Sequence, residues 1–241
     1  MGSKPGTASE YFGAMGDEYD SLIHRALPNY DEMIRELTAH LPENPRRALE
    51  LGCGTGNFTI ALAAHAPDCA VTVVDASPEM IDLTRHRLVE LHPNVVDRAT
   101  FVISRFEDLD LEAGAFDLIV SCISLHHVTD KGPLFSDLHA ALSPGGALRF
   151  ADQMSGDSQA SQDRNWERWL EYCREPGHCT DEEIQGLLDH AAAHDHYVPL
   201  AVHFEILEAT GFTGIDCVWR NGMWAVVTAD RRSLQELSRS L

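Results

Sequence analysis

The feature that most constrains this chain is the run Ala48-Leu49-Glu50-Leu51-Gly52-Cys53-Gly54-Thr55-Gly56, followed at once by Asn57-Phe58-Thr59. A buried strand here runs into three alternating glycines and then into a helix. Glycine lets the backbone turn sharply and approach a ligand closely, beside the free N–H groups of a helix N-terminus. Nineteen residues after Gly56, at the end of the next apolar run, stands Asp75. A carboxylate at that place can accept both hydroxyls of a ribose. Glycines alone are a weak signal; Glu50, the G-x-G-x-G spacing and Asp75 together are a strong one. A dinucleotide dehydrogenase has its third glycine one place later, at Asn57 here. The chain also lacks a Tyr-x-x-x-Lys pair for hydride chemistry.

The surrounding pattern alternates strand and helix. Strands are predicted over Ala48–Leu51, Ala70–Val74, Thr100–Ile103, Phe116–Cys122 and Ala147–Ala151, with helices near 57–65, 78–91 and 133–142. Such βαβ alternation implies a parallel sheet covered by helices on both faces. Ser77 is placed as a helix N-cap with Pro78 at the first helical position, and Ser143-Pro144-Gly145-Gly146 as a turn. Upstream, residues 1 to about 8 read as a mobile arm, and apolar spacing from Tyr19 to Leu37 suggests two helices broken at Pro28. From about 155 to 200 the pattern changes: Asp157–Gln162 reads as a polar loop, Trp166, Trp169 and Tyr172 share one helical face, and Thr180 with Glu183 has capping-box spacing. A helix near 201–209 ends at Gly211, and Ile215–Trp219 and Met223–Val227 read as two closing strands. Two consecutive terminal strands imply an antiparallel hairpin at one sheet edge. The expectation is a single α/β domain over residues 1–241, with a doubly wound, seven-stranded, mostly parallel sheet. An N-terminal helical cap (1–40) and a helical insertion (155–200) forming part of a substrate lid complete it.

Charge narrows the partners. Thirty-eight acidic residues against 18 basic ones give a formal net charge of -20, and Lys4 and Lys131 are the only lysines. Such a surface repels phosphate backbones, so nucleic acid is not an expected partner. The six cysteines form no C-x-x-C pair, which fits reduced thiols in a cytosol. The first residues hold no apolar core for a signal peptide, and no run approaches the ~18 apolar residues of a membrane span. The reading is a cytoplasmic protein without a membrane partner.

The segments E-L-G-C-G-T-G, V-D-A-S-P-E-M, F-D-L-I-V-S and L-S-P-G-G, within residues 48–151, resemble the successive motifs of class I methyltransferases. That resemblance implies S-adenosylmethionine as cofactor. It implies that the loop from Gly52 through Cys53, Gly54 and Thr55 to Gly56, with Glu50 before it and Asn57 after it, cradles the methionine and ribose portion. Asp75 would hold the ribose, Ala76 and Met80 would lie beside the adenine, and Ser121 belongs to the same implied set. Where the family often has Gly-Asp after the third strand, this chain has Ser104-Arg105, and arginine cannot accept a hydrogen bond. A backbone carbonyl near Phe106 or the carboxylate of Glu107 replaces the acid, or the adenine is held less specifically.

Ser124-Leu125-His126-His127-Val128 follows the fourth strand, whose C-terminal end faces the reacting methyl group in this fold. If the acceptor is a hydroxyl, a base should remove its proton, and histidine titrates in the right range. The Leu-His-His pattern resembles small-molecule O-methyltransferases, which also carry an acid after strand five, here Asp152. His126, His127 and Asp152 are therefore the candidate catalytic residues, with pattern favouring His126 over His127. His178, His190, His194, His196 and His203 recur later; His194-x-His196 joined by His126 or His127 has the makings of a metal site, but exposed helix-end histidines are commoner, and no metal is assigned. Trp166, Trp169 and Tyr172 suit a roof over an aromatic substrate, packing onto the sheet, or contact with a second copy in a homodimer. Tyr19-Asp20, Leu27-Pro28-Asn29-Tyr30 and Ala209-Thr210-Gly211-Phe212 are similar to carboxy-S-adenosylmethionine synthases. By that likeness Tyr19 and Arg25 close over the cofactor, Arg25 pairing with its carboxylate. The basic pair of those synthases is replaced by Leu187 and Leu188, which argues for an ordinary methyl donor. Three readings follow: methyl transfer to a small molecule, with oxygen favoured over nitrogen or carbon; non-methylating use of the cofactor by a synthase or cyclase; and a catalytically silent cofactor-binding subunit.

Overall fold

Five short apolar runs become β1 (Arg47–Leu51), β2 (Ala70–Asp75), β3 (Ala99–Ile103), β4 (Phe116–Cys122) and β5 (Leu142–Gln153), and the chain closes with β6 (Thr213–Asn221) and β7 (Trp224–Asp230). These come from a computed structural model that describes residues 17–233. The expected arm at residues 1 to about 8, and the start of the 1–40 cap, lie outside the described residues. The sheet order is β3-β2-β1-β4-β5-β7-β6. The first five strands pair in parallel, and β7 runs antiparallel to both β5 and β6. The doubly wound sheet with an antiparallel terminal hairpin is as the sequence predicts. Strand order reverses between β1 and β4, and a crevice opens at the strand C-termini beside such a switch point.

The helices are α1 (Asp17–Ala26), α2 (Tyr30–Ala39), α3 (Asn57–His65), α4 (Pro78–Leu91), the one-turn α5 (Pro93–Val96), α6 (Lys131–Ala141), α7 (Gln159–Cys173), α8 (Asp181–His194) and α9 (Leu200–Ala209). Successive strand residues point to opposite faces. Leu49, Leu51, Ile119, Leu148 and Phe150 pack with Leu134, Phe135 and Leu138 of α6 and Leu207 of α9. Ala48, Val73, Leu118, Val120 and Val226 face the other way, toward α2, α3 and α7. Ser77 caps α4 by accepting from the Met80 N–H, with Pro78 in the first turn. Thr180 and Glu183 form the reciprocal capping box that opens α8.

Two local expectations are corrected. The polar stretch read as a loop over Asp157–Gln162 already contains the start of α7: Ser158 and Ser161 bond reciprocally to each other's backbone, a serine version of the capping box. The Ser143–Gly146 turn is continuous with β5, because Leu142 pairs with Phe116 before the register shifts and resumes at Leu118–Ala147. Gly145 carries φ +84° in that irregular stretch.

The insertion is bound to the N-terminal helices. Trp169 on α7 donates its indole N–H to the Ala26 carbonyl at 2.9 Å. Arg25 on α1 holds Glu183 on α8 through two bonds of 3.0 and 2.6 Å.

Candidate active site

The turn after β1 fits its surroundings at the atomic level. Gly52 has φ +73°, and a Cβ there would fall 2.3 Å from Ser124 Oγ; only glycine satisfies both the left-handed backbone and the contact. Ser124 is fixed in turn, donating to the Leu51 carbonyl at 2.9 Å beside Ser121, which donates to the same oxygen at 3.0 Å. A Cβ on Gly54 would meet open space among the described residues. Asp75 accepts the Gly54 N–H on one carboxylate oxygen and the Ser77 N–H on the other, both at 2.9 Å. Each oxygen keeps a lone pair for a further donor. Burial raises the Asp75 pKa, against the backbone N–H groups that favour its charge.

These groups line one cavity of about 550 Å³. Gly52, Cys53, Gly54, Thr55 and Asn57 form its glycine-loop wall, and Asp75, Ala76 and Met80 continue it. Arg105, Phe106 and Glu107 lie farther round; Arg105 pairs with Glu107 at 3.1 Å, so the carboxylate already has a partner. Tyr19 of α1 reaches the wall from the cap side, and burial pushes its phenol pKa up.

At the far end β4 leaves the sheet through Ile123, a β-branched residue at φ +55°. That conformation costs about 1–3 kcal/mol; the Ile123 N–H donates to Ala151 at 2.8 Å and holds it. The strained turn delivers a short 3₁₀ segment, Leu125–His127. His127 lines the cavity, with His194 and His196 of the insertion. His126 stands behind it, 6% exposed, its Nδ1 2.5 Å from Asp152 Oδ1. Its other nitrogen, Nε2, lies 3.7 Å from Asp195 Oδ1. His127 Nδ1 lies 3.1 Å, and His190 Nε2 3.5 Å, from that same oxygen. Burial opposes charge on His126, yet the Asp152 carboxylate, helped by Asp195, outweighs burial and raises its pKa. For His127, burial and then the neighbouring His126 lower it. Burial also lowers His190, to about 4.

Several predicted residues are placed away from the cavity wall. Arg25, expected to meet the cofactor carboxylate, is instead taken by Glu183 and by the His178 carbonyl, since the capping carboxylate of α8 lies within its reach. Glu50 is buried under the loop, accepting from Thr59 at 2.9 Å, and burial pushes its carboxyl up to about 8. Gly56 and Ser121 support the loop without facing the cavity. Of the candidate catalytic residues, His127 faces it while His126 and Asp152 stand behind. Trp166, Trp169 and Tyr172 pack on the core cluster of that side rather than roofing the cavity.

Four residues escape the sequence reading. Asp20 of α1 accepts from Asn57 at 2.7 Å and pairs with Arg87 at 3.0 Å, tying the cap to the loop. Asp195, the residue between His194 and His196, is what meets His126 and His127. The histidine pair marked the segment and concealed the carboxylate inside it. Tyr197 donates to the second oxygen of Asp195.

A family model described as a methyltransferase domain matches residues 48–146. Trans-aconitate 2-methyltransferase of Methylobacterium radiotolerans is 40% identical over 135 residues, which are 56% of this chain and 48% of that protein. The chain thus spans about half the length of that relative. Carboxy-S-adenosyl-L-methionine synthase of Desulforapulum autotrophicum is 25% identical over 90% of this chain and 88% of its own. Among solved structures, a chain from the complex between the Haloferax volcanii Trm112 methyltransferase activator and a methyltransferase shares the fold, with a TM-score of 0.68 at 15% identity over 96% of this chain and 100% of that one.

Proposed function

We propose that the chain carries a methyltransferase domain of the S-adenosylmethionine-dependent class and that it transfers the cofactor's methyl group to a small-molecule acceptor, to oxygen in preference to nitrogen or carbon. The observation that carries this reading is that one cavity is lined by Gly54, Asp75 and His127 together. A cofactor whose ribose hydroxyls reach Asp75 would lay its methionine half along Gly52–Thr55. Its methyl group would then point toward the end of β4. The bound cofactor would supply an electrophilic methyl group there, with sulfur keeping the bonding pair, and an acceptor oxygen would enter beside His127. The displaced hydroxyl proton passes to the imidazole cluster, with His127 at the wall and the His126–Asp152 pair fixing the turn behind it. Alignment within the cavity supplies much of the acceleration, and the proton acceptor adds roughly 10²–10⁴.

The described part of the cap (17–40) and the insertion (155–200) act together in this reading as the lid over the cavity. Arg25–Glu183 and Trp169–Ala26 hold the two together. The net charge of -20 supports a small metabolite rather than nucleic acid as substrate. Six unpaired cysteines, and the lack among the described residues of a helix long and apolar enough to cross a membrane, support a cytoplasmic place.

The synthase reading has the likeness along most of the chain in its favour. Against it, Leu187 and Leu188 stand where the basic pair is expected, and both pack on the core. Incubating the protein with S-adenosylmethionine and a panel of phenols, sugars and carboxylic acids tests the assignment. Acceptor-dependent release of S-adenosylhomocysteine is expected. Cofactor binding with no such release across hydroxyl, amine and carbon acceptors would favour a silent subunit, and a modified sulfonium product would favour the synthase.

A further inference from the structure

We propose that His126 Nε2, His127 Nδ1 and Asp195 Oδ1 are ligands for one divalent transition-metal ion of the zinc type, with His190 beside them. One ligand atom from each of His126, His127 and Asp195 lies within 4.8 Å of the others. The Asp195 oxygen is 3.1 Å from His127 Nδ1, 3.5 Å from His190 Nε2 and 3.7 Å from His126 Nε2. Zinc bonds to nitrogen and oxygen of about 2.0–2.2 Å, spread tetrahedrally, place neighbouring ligand atoms about 3.3 Å apart. The observed separations bracket that value.

Nitrogen chemistry points the same way. His126 Nδ1 lies 2.5 Å from Asp152 Oδ1, so that nitrogen carries the proton and Nε2 presents its lone pair toward Asp195. In the neutral ring, a lone pair and a carboxylate oxygen 3.7 Å apart form a pair that a cation can bridge. The Asp152–His126 pair is also the carboxylate–histidine arrangement that fixes ring orientation at metal sites. Tyr197 donates to the remaining Asp195 oxygen and so plays that part for the second ligand.

The two halves of the set come from distant segments and are clamped together by the backbone. The His196 N–H donates to the His126 carbonyl at 2.7 Å. Buried Lys131 bonds both Val128 O, at 2.9 Å, and His196 O, at 2.7 Å. Two imidazoles and one carboxylate leave coordination positions open, as catalytic sites do. Because His127 also lines the cofactor cavity, the ion would stand at the acceptor end and could acidify a bound oxygen. His127 is then a ligand rather than a base. That role rests on the methyl-transfer reading; ion binding does not.

The test is metal binding by the full chain, without acceptor. Chelator-stripped protein is titrated with Zn(II) against a competing chelator, and with Co(II) by visible absorption. One equivalent per chain is expected, with the intense d–d bands of a four- or five-coordinate site. Asp195→Ala should weaken Zn(II) binding by more than the roughly 10–100-fold typical for loss of an outer-shell partner, and Asp152→Asn by about that amount. His194→Ala should leave the affinity unchanged. Circular dichroism shows which variants are folded, and the wild-type stoichiometry decides the matter even if Asp195→Ala fails to fold. Absence of stoichiometric binding by the wild type overturns the proposal, as does loss of binding in a folded His194→Ala variant but not in Asp195→Ala. Zn(II) binding without methyl transfer would leave the ion site standing and sink only the function proposed above.

Discussion

Gly54 donates its backbone N–H to Asp75 at 2.9 Å, so the glycine loop and the carboxylate after β2 form one hydrogen-bonded unit. The Ser77 N–H holds the other carboxylate oxygen at the same distance. The carboxylate is therefore oriented before any ribose arrives. Asp75→Ala should weaken S-adenosylmethionine binding at least roughly tenfold, since each hydrogen bond to a charged group is worth about 1.5–3 kcal/mol. Calorimetry checks this, and unchanged affinity would remove Asp75 from the cofactor site. Tighter binding of NAD would return the chain to the dehydrogenase reading.

His127 and His126 should separate kinetically. Of the two, only His127 is on the cavity wall, so His127→Ala, which removes a proton acceptor or an ion ligand from that wall, should lower turnover by about 10²–10⁴ with cofactor affinity nearly unchanged. Asp152→Ala acts through His126, by freeing the 3₁₀ turn, and should cost less. Its loss should track that of His126→Ala rather than add to it, because the two residues act as one pair. Full turnover in all three variants would mean that alignment alone carries the reaction.

The sheet and the turn geometry from Gly52 to Asp75 were legible because they rest on local rules. The glycine loop, Ser77 before Pro78, and Thr180 with Glu183 each fix backbone geometry within a few residues. The catalytic half was only partly legible. His126 and His127 were visible as a motif, but which one faces the cavity depends on the positive φ of Ile123, and a β-branched residue there gives no sequence signal. Asp195 meets His126 across 69 residues of chain (195 − 126), and that meeting is set by how the insertion docks. Arg25 illustrates the same limit: its charge was read correctly and its partner was not, because Glu183 had been seen only as a capping residue.

That Arg25–Glu183 pair is open to direct test. Both side chains are about one-third exposed, at 31% and 29%, so the pair is worth only ~0.5–1 kcal/mol. Its value lies in the two helices it joins, α1 and α8, which the proposed function treats as parts of one lid. Glu183→Ala should raise KM for cofactor or acceptor several-fold, speed limited proteolysis of the first helix, and leave the melting temperature almost unchanged. The Arg25 guanidinium, with the Thr180 backbone, holds the Glu183 carboxyl down to about 2. A lowered pKa adds stability above the ordinary carboxylate range and loses it as pH falls toward 2. The latch is therefore intact at neutral pH and should be loosened by salt. Identical KM at low and high salt, in wild type and variant alike, would show that the pair does not hold the lid.

Glu50 provides the last prediction, one that reads stability rather than turnover. Its side chain is 1% exposed beneath the glycine loop, and its one hydrogen bond among the described residues comes from Thr59 at 2.9 Å. Burial raises its pKa from 4.5 to about 8, while the Thr59 hydroxyl works the other way. For an acid whose pKa is higher folded than unfolded, the native state holds the extra proton. Stability is then greatest below 4.5 and is lost as pH rises through the folded value. Gln at this position keeps an acceptor for Thr59 but cannot ionise. Its amide N–H₂ gains no obvious partner, so Glu50→Gln need not be more stable at pH 5, where the native carboxyl is already neutral. What should change is the trend. The stability of Glu50→Gln relative to wild type should climb between pH 5 and pH 8, by roughly 2–4 kcal/mol in all, since each pKa unit corresponds to about 1.36 kcal/mol. Urea unfolding at three pH values, without cofactor, measures it. A difference that stays flat across that range would mean that Glu50 is ionised in the folded protein and has a cationic or hydrogen-bonding partner at its second oxygen.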